Sequence, residues 1–254
     1  MIDTHSHPYL PEFDDGGKGA VDRALSAGVS HIILPNVDIT SLEPMIALHE
    51  SRPDATSIAI GLHPTEVRED WEKVVEGMKE ILQDKKCVAV GEVGMDLYWD
   101  KSHEEAQKKA FALQLKIAEE MRLPVIIHCR EALDETLEVI EEVKPTVPLI
   151  FHSFTGSPDD VRKIRKVCNP MFGINGVVTF KNAKSLRESI PEIGIDYLLL
   201  ETDAPYLAPV PHRGKRNESA YLVHTLNAVA NALGMEPGEA EEATDRNARK
   251  TFSL

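Results

Sequence analysis

A chain of 254 residues with 42% apolar side chains and no low-complexity tract can bury one extensive core, and its length is ordinary for a single α/β barrel, so one domain over 1–254 is expected. Its 28 basic and 42 acidic residues, a formal net charge of -14, disfavour nonspecific adhesion to nucleic acid or anionic lipid but leave room for an anion site built around bound cations. Scattered Cys87, Cys129 and Cys168 exclude a disulfide framework, and neither a secretory leader nor a membrane-spanning apolar run is read, so a cytoplasmic protein without membrane attachment is expected.

The chain opens MIDTHSH, the first of several short apolar runs. Alternation along a strand over 1–6 would send Asp3, His5 and His7 to one side at repeats of roughly 7 Å, a geometry that suits a metal. Gly16-Gly17 then lead into a helix without the glycine-rich turn of a dinucleotide fold. A second strand is expected at 31–35 (HIILP), and Thr40-x-x-Glu43 offers a helix start. Further strands are expected at 57–63 (SIAIGLH) and 87–92 (CVAVGE). A helix over 102–121 opens with the capping box Ser102-x-x-Glu105 and carries an apolar band of Phe111, Leu115 and Ala118. Strands at 124–129 (PVIIHC) and 148–153 (PLIFHS) precede a helix started by Ser157-Pro158, and 172–178 (FGINGVV) and 197–202 (YLLLET) complete the series. Strands that alternate with helices and read as near-continuous apolar runs are parallel and covered outside, and eight such units predict a (β/α)8 TIM barrel. An open doubly wound sheet is the alternative, but its cofactor signature is missing.

His5 and His7 end the first predicted strand, His63 the third, Glu92 the fourth, His128 the fifth and His152 the sixth, with Glu201 and Asp203 after the eighth. Carboxyl ends of strands form the active face of a barrel. A single histidine ending an apolar strand is ordinarily a packed, hydrogen-bonded residue, and His31, His49, His103 and His224, at strand starts or in helical segments, are read that way. His5, His7, Glu92, His128, His152 and Asp203 together are the number and type of ligand for two divalent ions sharing a carboxylate. A structural salt bridge at Glu92 would be costly without a partner. Cys129 cannot form a nucleophilic dyad with His128, because neighbours on a strand face opposite ways.

The blocks His5-Ser6-His7, Gly61-Leu62-His63-Pro64, Gly91-Glu92-Val93-Gly94-Met95-Asp96, His128-Cys129-Arg130, His152-Ser153-Phe154-Thr155-Gly156 and Glu201-Thr202-Asp203-Ala204-Pro205-Tyr206-Leu207, then Arg213-Gly214 and Asn217, resemble in order the motifs of the TatD-type metal-dependent deoxyribonucleases. The resemblance implies an amidohydrolase-like TIM barrel that hydrolyses phosphodiesters. It implies one ion on His5, His7 and Asp203, another on His128 and His152, and Glu92 between them, where much of the wider group uses a modified lysine. Ser153, where the family often has cysteine, and Ser219, where it often has proline, depart from the pattern and bear on substrate preference.

The mechanism that follows has two divalent ions, zinc, manganese or magnesium, activating water, with Asp203 accepting its proton and Asp203 and Glu92 the catalytic carboxylates. His63 and Arg213 are expected to hold phosphate oxygens, Arg213 lying in a basic stretch with Lys215 and Arg216 that a solvated loop explains equally. Tyr98 and Trp99 offer a stacking surface for a terminal base, with loop packing the alternative. Asp3 and Glu201 are expected to orient ligands or water. The expected partner is single-stranded or frayed DNA, and a monomer is the working expectation. An ester or amide hydrolase, such as an aminoacyl-tRNA deacylase, is the alternative, and a metal-binding scaffold without turnover a third.

Overall fold

The computed structural model describes residues 1–84 and 86–254. Among them the strands are β1 (Ile2–Asp3), β2 (His31–Pro35), β3 (Thr56–Ile60), β4 (Ala89–Asp96), β5 (Val125–Arg130), β6 (Leu149–Phe151), β7 (Met171–Ile174) and β8 (Leu198–Leu200), paired in parallel in chain order as one eight-stranded sheet. The first and last strands meet just beyond their ends. The Thr4 amide donates to the Leu200 carbonyl at 3.0 Å and the Asp203 amide to the His5 carbonyl at 2.9 Å, while Ser6 bridges Ala204. The sheet therefore wraps into the predicted (β/α)8 barrel. Its outer layer is α1 (Lys18–Ser26), α2 (Leu42–Ser51), α3 (Trp71–Asp84), α4 (Glu104–Met121), α5 (Leu133–Val143), α6 (Pro158–Val167), α7 (Lys184–Ile193), α8 (Leu222–Leu233) and α9 (Pro237–Phe252). No helix among the described residues is long and apolar enough to cross a membrane.

Each strand separates two cores, which is why the runs are apolar throughout. Ile32, Leu34, Ile58, Ile60, Val125 and Ile127 join helix residues such as Met45 and Phe111 in the outer core. Ile2, Ile33, Ala59, Ala89, Ile126, Ile150 and Leu199 form the inner one, closed by Ala248 and Phe252 of α9. This plug is the floor beneath the strand ends.

Alternation from those inner residues turns His128 inward on β5 and His152 and Glu201 inward just past β6 and β8, but it fails at two strands. On β4, Ala89 lies in the inner core and Val90 and Val93 in the outer one, so strict alternation would turn Glu92 outward. The pairing with β5 shifts register between Val90 and Val93, and this irregularity turns Glu92 inward. β4 also continues to Asp96, beyond the predicted end. On β1, Ile2 faces the inner core, and the regular strand stops at Asp3 before either histidine. The 7 Å repeat is therefore not what brings His5 and His7 together; a bend does.

Ser157 caps α6 as predicted, its hydroxyl accepting from the Asp160 amide at 3.3 Å while the Asp160 carboxylate accepts the Ser157 amide at 2.7 Å. The other two predicted caps do not form. Asp100 takes the Ser102 amide at 2.8 Å, folding a turn that delays α4 to Glu104. Asp38 takes the Ser41 amide at 2.8 Å and the Thr40 hydroxyl at 2.9 Å, so α2 starts at Leu42. A nearby aspartate competes for those amides more strongly than a hydroxyl does.

Candidate metal centre

At the carboxyl ends of the strands five imidazoles surround one buried carboxylate. Glu92 Oε2 lies 3.2 Å from His5 Nε2 and 4.0 Å from His7 Nε2. Its other oxygen, Oε1, lies 2.6 Å from His152 Nε2, 2.8 Å from His128 Nδ1 and 3.4 Å from His63 Nε2. The bend after Asp3 sets the Nε2 atoms of His5 and His7 3.1 Å apart. Asp203 Oδ1 approaches the same pair, 3.6 Å from His7 Nε2 and 4.0 Å from His5 Nε2. On the other side His152 Nε2 is 3.4 Å from His128 Nδ1.

The arrangement fits divalent cations. In each of the triads His5–His7–Glu92, His63–Glu92–His128 and His5–His152–Glu201, donor atoms lie within 4.8 Å of one another. The donors are nitrogen and oxygen, the set that zinc, manganese and related ions take. Burial alone would raise the Glu92 carboxyl, but the imidazoles of His152, His63 and His5 and the contact with His128 hold it well below the usual range. It stays ionised, as a ligand must. Burial, reinforced by His152, pushes the His5 imidazole down and keeps it neutral. Burial would likewise raise Asp203, but contact with His7 and the charges of His152 and His5 hold it below the normal carboxylate range.

A further layer fixes these rings. His7 Nδ1 lies 2.8 Å from the Tyr9 hydroxyl and 3.0 Å from the Pro35 carbonyl, which leaves Nε2 for the centre. His128 Nε2 lies 2.9 Å from Asp96 Oδ2, leaving Nδ1 facing Glu92. Sequence reasoning passed over Tyr9 and Asp96. Asp96 had a signal, standing four residues after Glu92 with the same facing. Glu201 accepts the Ser153 amide at 2.5 Å and comes within 3.7 Å of His152 Nδ1. Gly173 on β7 is what admits it, because a Cβ there would sit 2.1 Å from Glu201 Oε2. Glu201 Oε2 and the Nδ1 atoms of His5 and His152 are buried without a hydrogen-bond partner among the described residues.

Asp3 reaches backbone rather than a ring. It accepts the His5 amide at 3.3 Å, the Thr202 amide at 3.0 Å and the Thr202 hydroxyl at 2.6 Å, clamping the closing strands together. Burial lifts its carboxyl to about 7 against those hydrogen bonds. Tyr98 and Trp99 stand at the rim, 47% and 69% exposed. Exposed Arg213 lays its guanidinium 3.8 Å from the Phe180 ring centre. Cys129 packs toward the helix layer, its thiol 3.4 Å from the Thr136 hydroxyl and raised by burial to about 11, the environment of a packed thiol.

Comparison with known proteins places this geometry. The family model for TatD related DNases matches residues 2–253. The chain is 36% identical over 255 residues to a metal-dependent hydrolase of Bacillus subtilis, YabD, covering 100% of this chain and 99% of that protein. It is 35% identical over 260 residues to a 3'-5' ssDNA/RNA exonuclease, TatD, of Erwinia billingiae, covering 100% and 99% of the two chains. The structure of the TatD homologue YjjV of Escherichia coli superposes with a TM-score of 0.93 at 28% identity, over 100% of this chain and 98% of that one. The chain belongs to the TatD family of metal-dependent hydrolases.

Proposed function

We propose that this protein is a two-ion phosphodiesterase, a deoxyribonuclease that trims single-stranded or frayed DNA ends as a 3'-5' exonuclease. The observation that carries the reading is the division of Glu92, with Oε2 toward His5 and His7 and Oε1 toward His128 and His152. One carboxylate with donor sets on both sides is the arrangement of a bridging ligand. In this reading His5, His7 and Asp203 would hold one ion, His128 and His152 the other, with Glu92 shared between them. When bound, the ions supply Lewis acidity toward water and phosphate.

The chain's own groups do the rest. Asp203, ionised and beside His7, accepts the proton of the attacking water. His63 has Nδ1 2.7 Å from the Thr65 hydroxyl, which aims Nε2 into the site to hold a phosphate oxygen, with Arg213 at the rim as a second anion contact. Glu201 orients His152, and Asp3 holds the His5 backbone. Nucleic acid is favoured as substrate by the Erwinia relative's name and by the exposed aromatic rim.

Chelator-treated protein is expected to lose cleavage of end-labelled single-stranded DNA and to regain it when zinc, manganese or magnesium is restored. An aminoacyl-RNA substrate runs in parallel, and turnover of that ester without DNA cleavage would replace the nuclease reading. Asp96→Asn is expected to weaken divalent-ion affinity by about 10–100-fold through loss of the charge that orients His128. Titration calorimetry reads this, and wild-type affinity would remove Asp96 from the account.

A further inference from the structure

A cavity of about 290 Å3 opens at the barrel mouth beside the metal centre, with Thr65, Arg68, Asp96, Trp99, Asp100 and His103 in its wall. Its size is at the small end for ligand pockets. Two residues tie it to the Glu92 cluster. Asp96 lines it while holding His128 through Oδ2, and Oδ1 of the same carboxylate accepts the Tyr98 and Trp99 amides at 3.0 and 3.3 Å. His63, 3.4 Å from Glu92, caps the one-turn helix Pro64–Glu66, its Nδ1 accepting the Thr65 amide at 3.2 Å. The cavity is thus one residue away from the Glu92 cluster on both sides.

Its walls discriminate between parts of a nucleotide. Trp99 is 69% exposed yet held from behind, with Tyr98 edge-on at 4.9 Å and the Arg130 guanidinium 3.8 Å from the Tyr98 ring centre and 5.3 Å from that of Trp99. Arg130 leaves β5 two residues after His128, so the aromatic pair is braced by the strands that carry the centre. An indole fixed in place and uncovered by the fold is a stacking face. Around it stand the carboxylates of Glu66 and Asp100, while Arg68 donates from Nη1 to the Thr65 and Val67 carbonyls at 2.7 and 3.0 Å. Such carboxylates accept N–H groups from a base edge.

We infer that this cavity is a nucleobase subsite: it takes one unpaired terminal base of a single-stranded nucleic acid, stacked on Trp99, while the adjoining phosphodiester lies over Glu92. This rests on the phosphodiesterase reading above. A base inside a duplex has both faces stacked and its Watson–Crick edge paired, so the subsite takes a base only from a single-stranded or frayed end.

The test compares two single-stranded oligonucleotides, one ordinary and one abasic at both terminal residues, with the metal-loaded full-length protein. The wild type is expected to favour the base-bearing end by about tenfold in kcat/KM, as loss of one stacked base implies. Trp99→Ala is expected to cut that ratio to about twofold or less, and Trp99→Phe, which keeps a ring, to retain most of it. Exposure of Trp99 makes misfolding of these variants a small concern, and circular dichroism checks it. Equal cleavage of both substrates by the wild type, or an undiminished ratio in Trp99→Ala, overturns the subsite and leaves phosphodiester cleavage standing. Cleavage of neither substrate overturns the reading beneath it, and the subsite with it.

Discussion

Glu92→Gln is expected to lower kcat/KM by about a thousandfold or more, the equivalent of roughly 4 kcal/mol of lost charge stabilisation. Glutamine fills the same volume but carries one acceptor oxygen and one donor nitrogen. Whichever way it turns, an NH2 group faces one of the two donor sets, His5 with His7 or His128 with His152. It therefore serves one side at most, and bound metal is expected to fall from two ions per chain toward one. The fold is not at stake, since removing a buried charge also removes its desolvation penalty. Elemental analysis alongside kinetics reads both effects. Two ions with wild-type turnover would end the bridging assignment.

Asp203→Asn is expected to lower kcat by about 10²–10⁴-fold, the range for losing a positioned general base. The substitution isolates the charge because of backbone geometry. Asp203 has φ 56°, in the left-handed region, and its amide donates to the His5 carbonyl at 2.9 Å across the closing strands. Asparagine tolerates that conformation, whereas alanine adds a backbone cost of about 1–2 kcal/mol. Melting temperature should therefore hold in Asp203→Asn and fall in Asp203→Ala, with activity low in both. Turnover within a few-fold of wild type in Asp203→Asn would give the proton to another group.

The aromatic rim and the centre are physically one unit. Asp96 holds a ring of the centre with one oxygen and the backbone of Tyr98 and Trp99 with the other. This oxygen-by-oxygen division parallels that of Glu92, and both carboxylates stand on the single strand β4. His103, read from sequence as a helix-segment residue, lines the same cavity as Trp99, standing at the entrance of α4, which the turn at Asp100 delays.

Sequence alone determined the barrel, because apolar runs alternating with amphipathic segments record burial on both faces of each strand, a property carried by consecutive residues. It also brought out the histidines and carboxylates at strand ends, since polar side chains terminating apolar runs stand out locally. Only the tertiary structure decided which way two of the most important positions face. Glu92 points inward through a register shift against β5, and His5 meets His7 through a bend where β1 closes on β8. Tyr9 on His7 and Asp96 on His128 are likewise contacts between elements. Strand alternation is a local rule, whereas register, closure and ring orientation depend on hydrogen bonds to residues as distant in the chain as Leu200 is from Thr4.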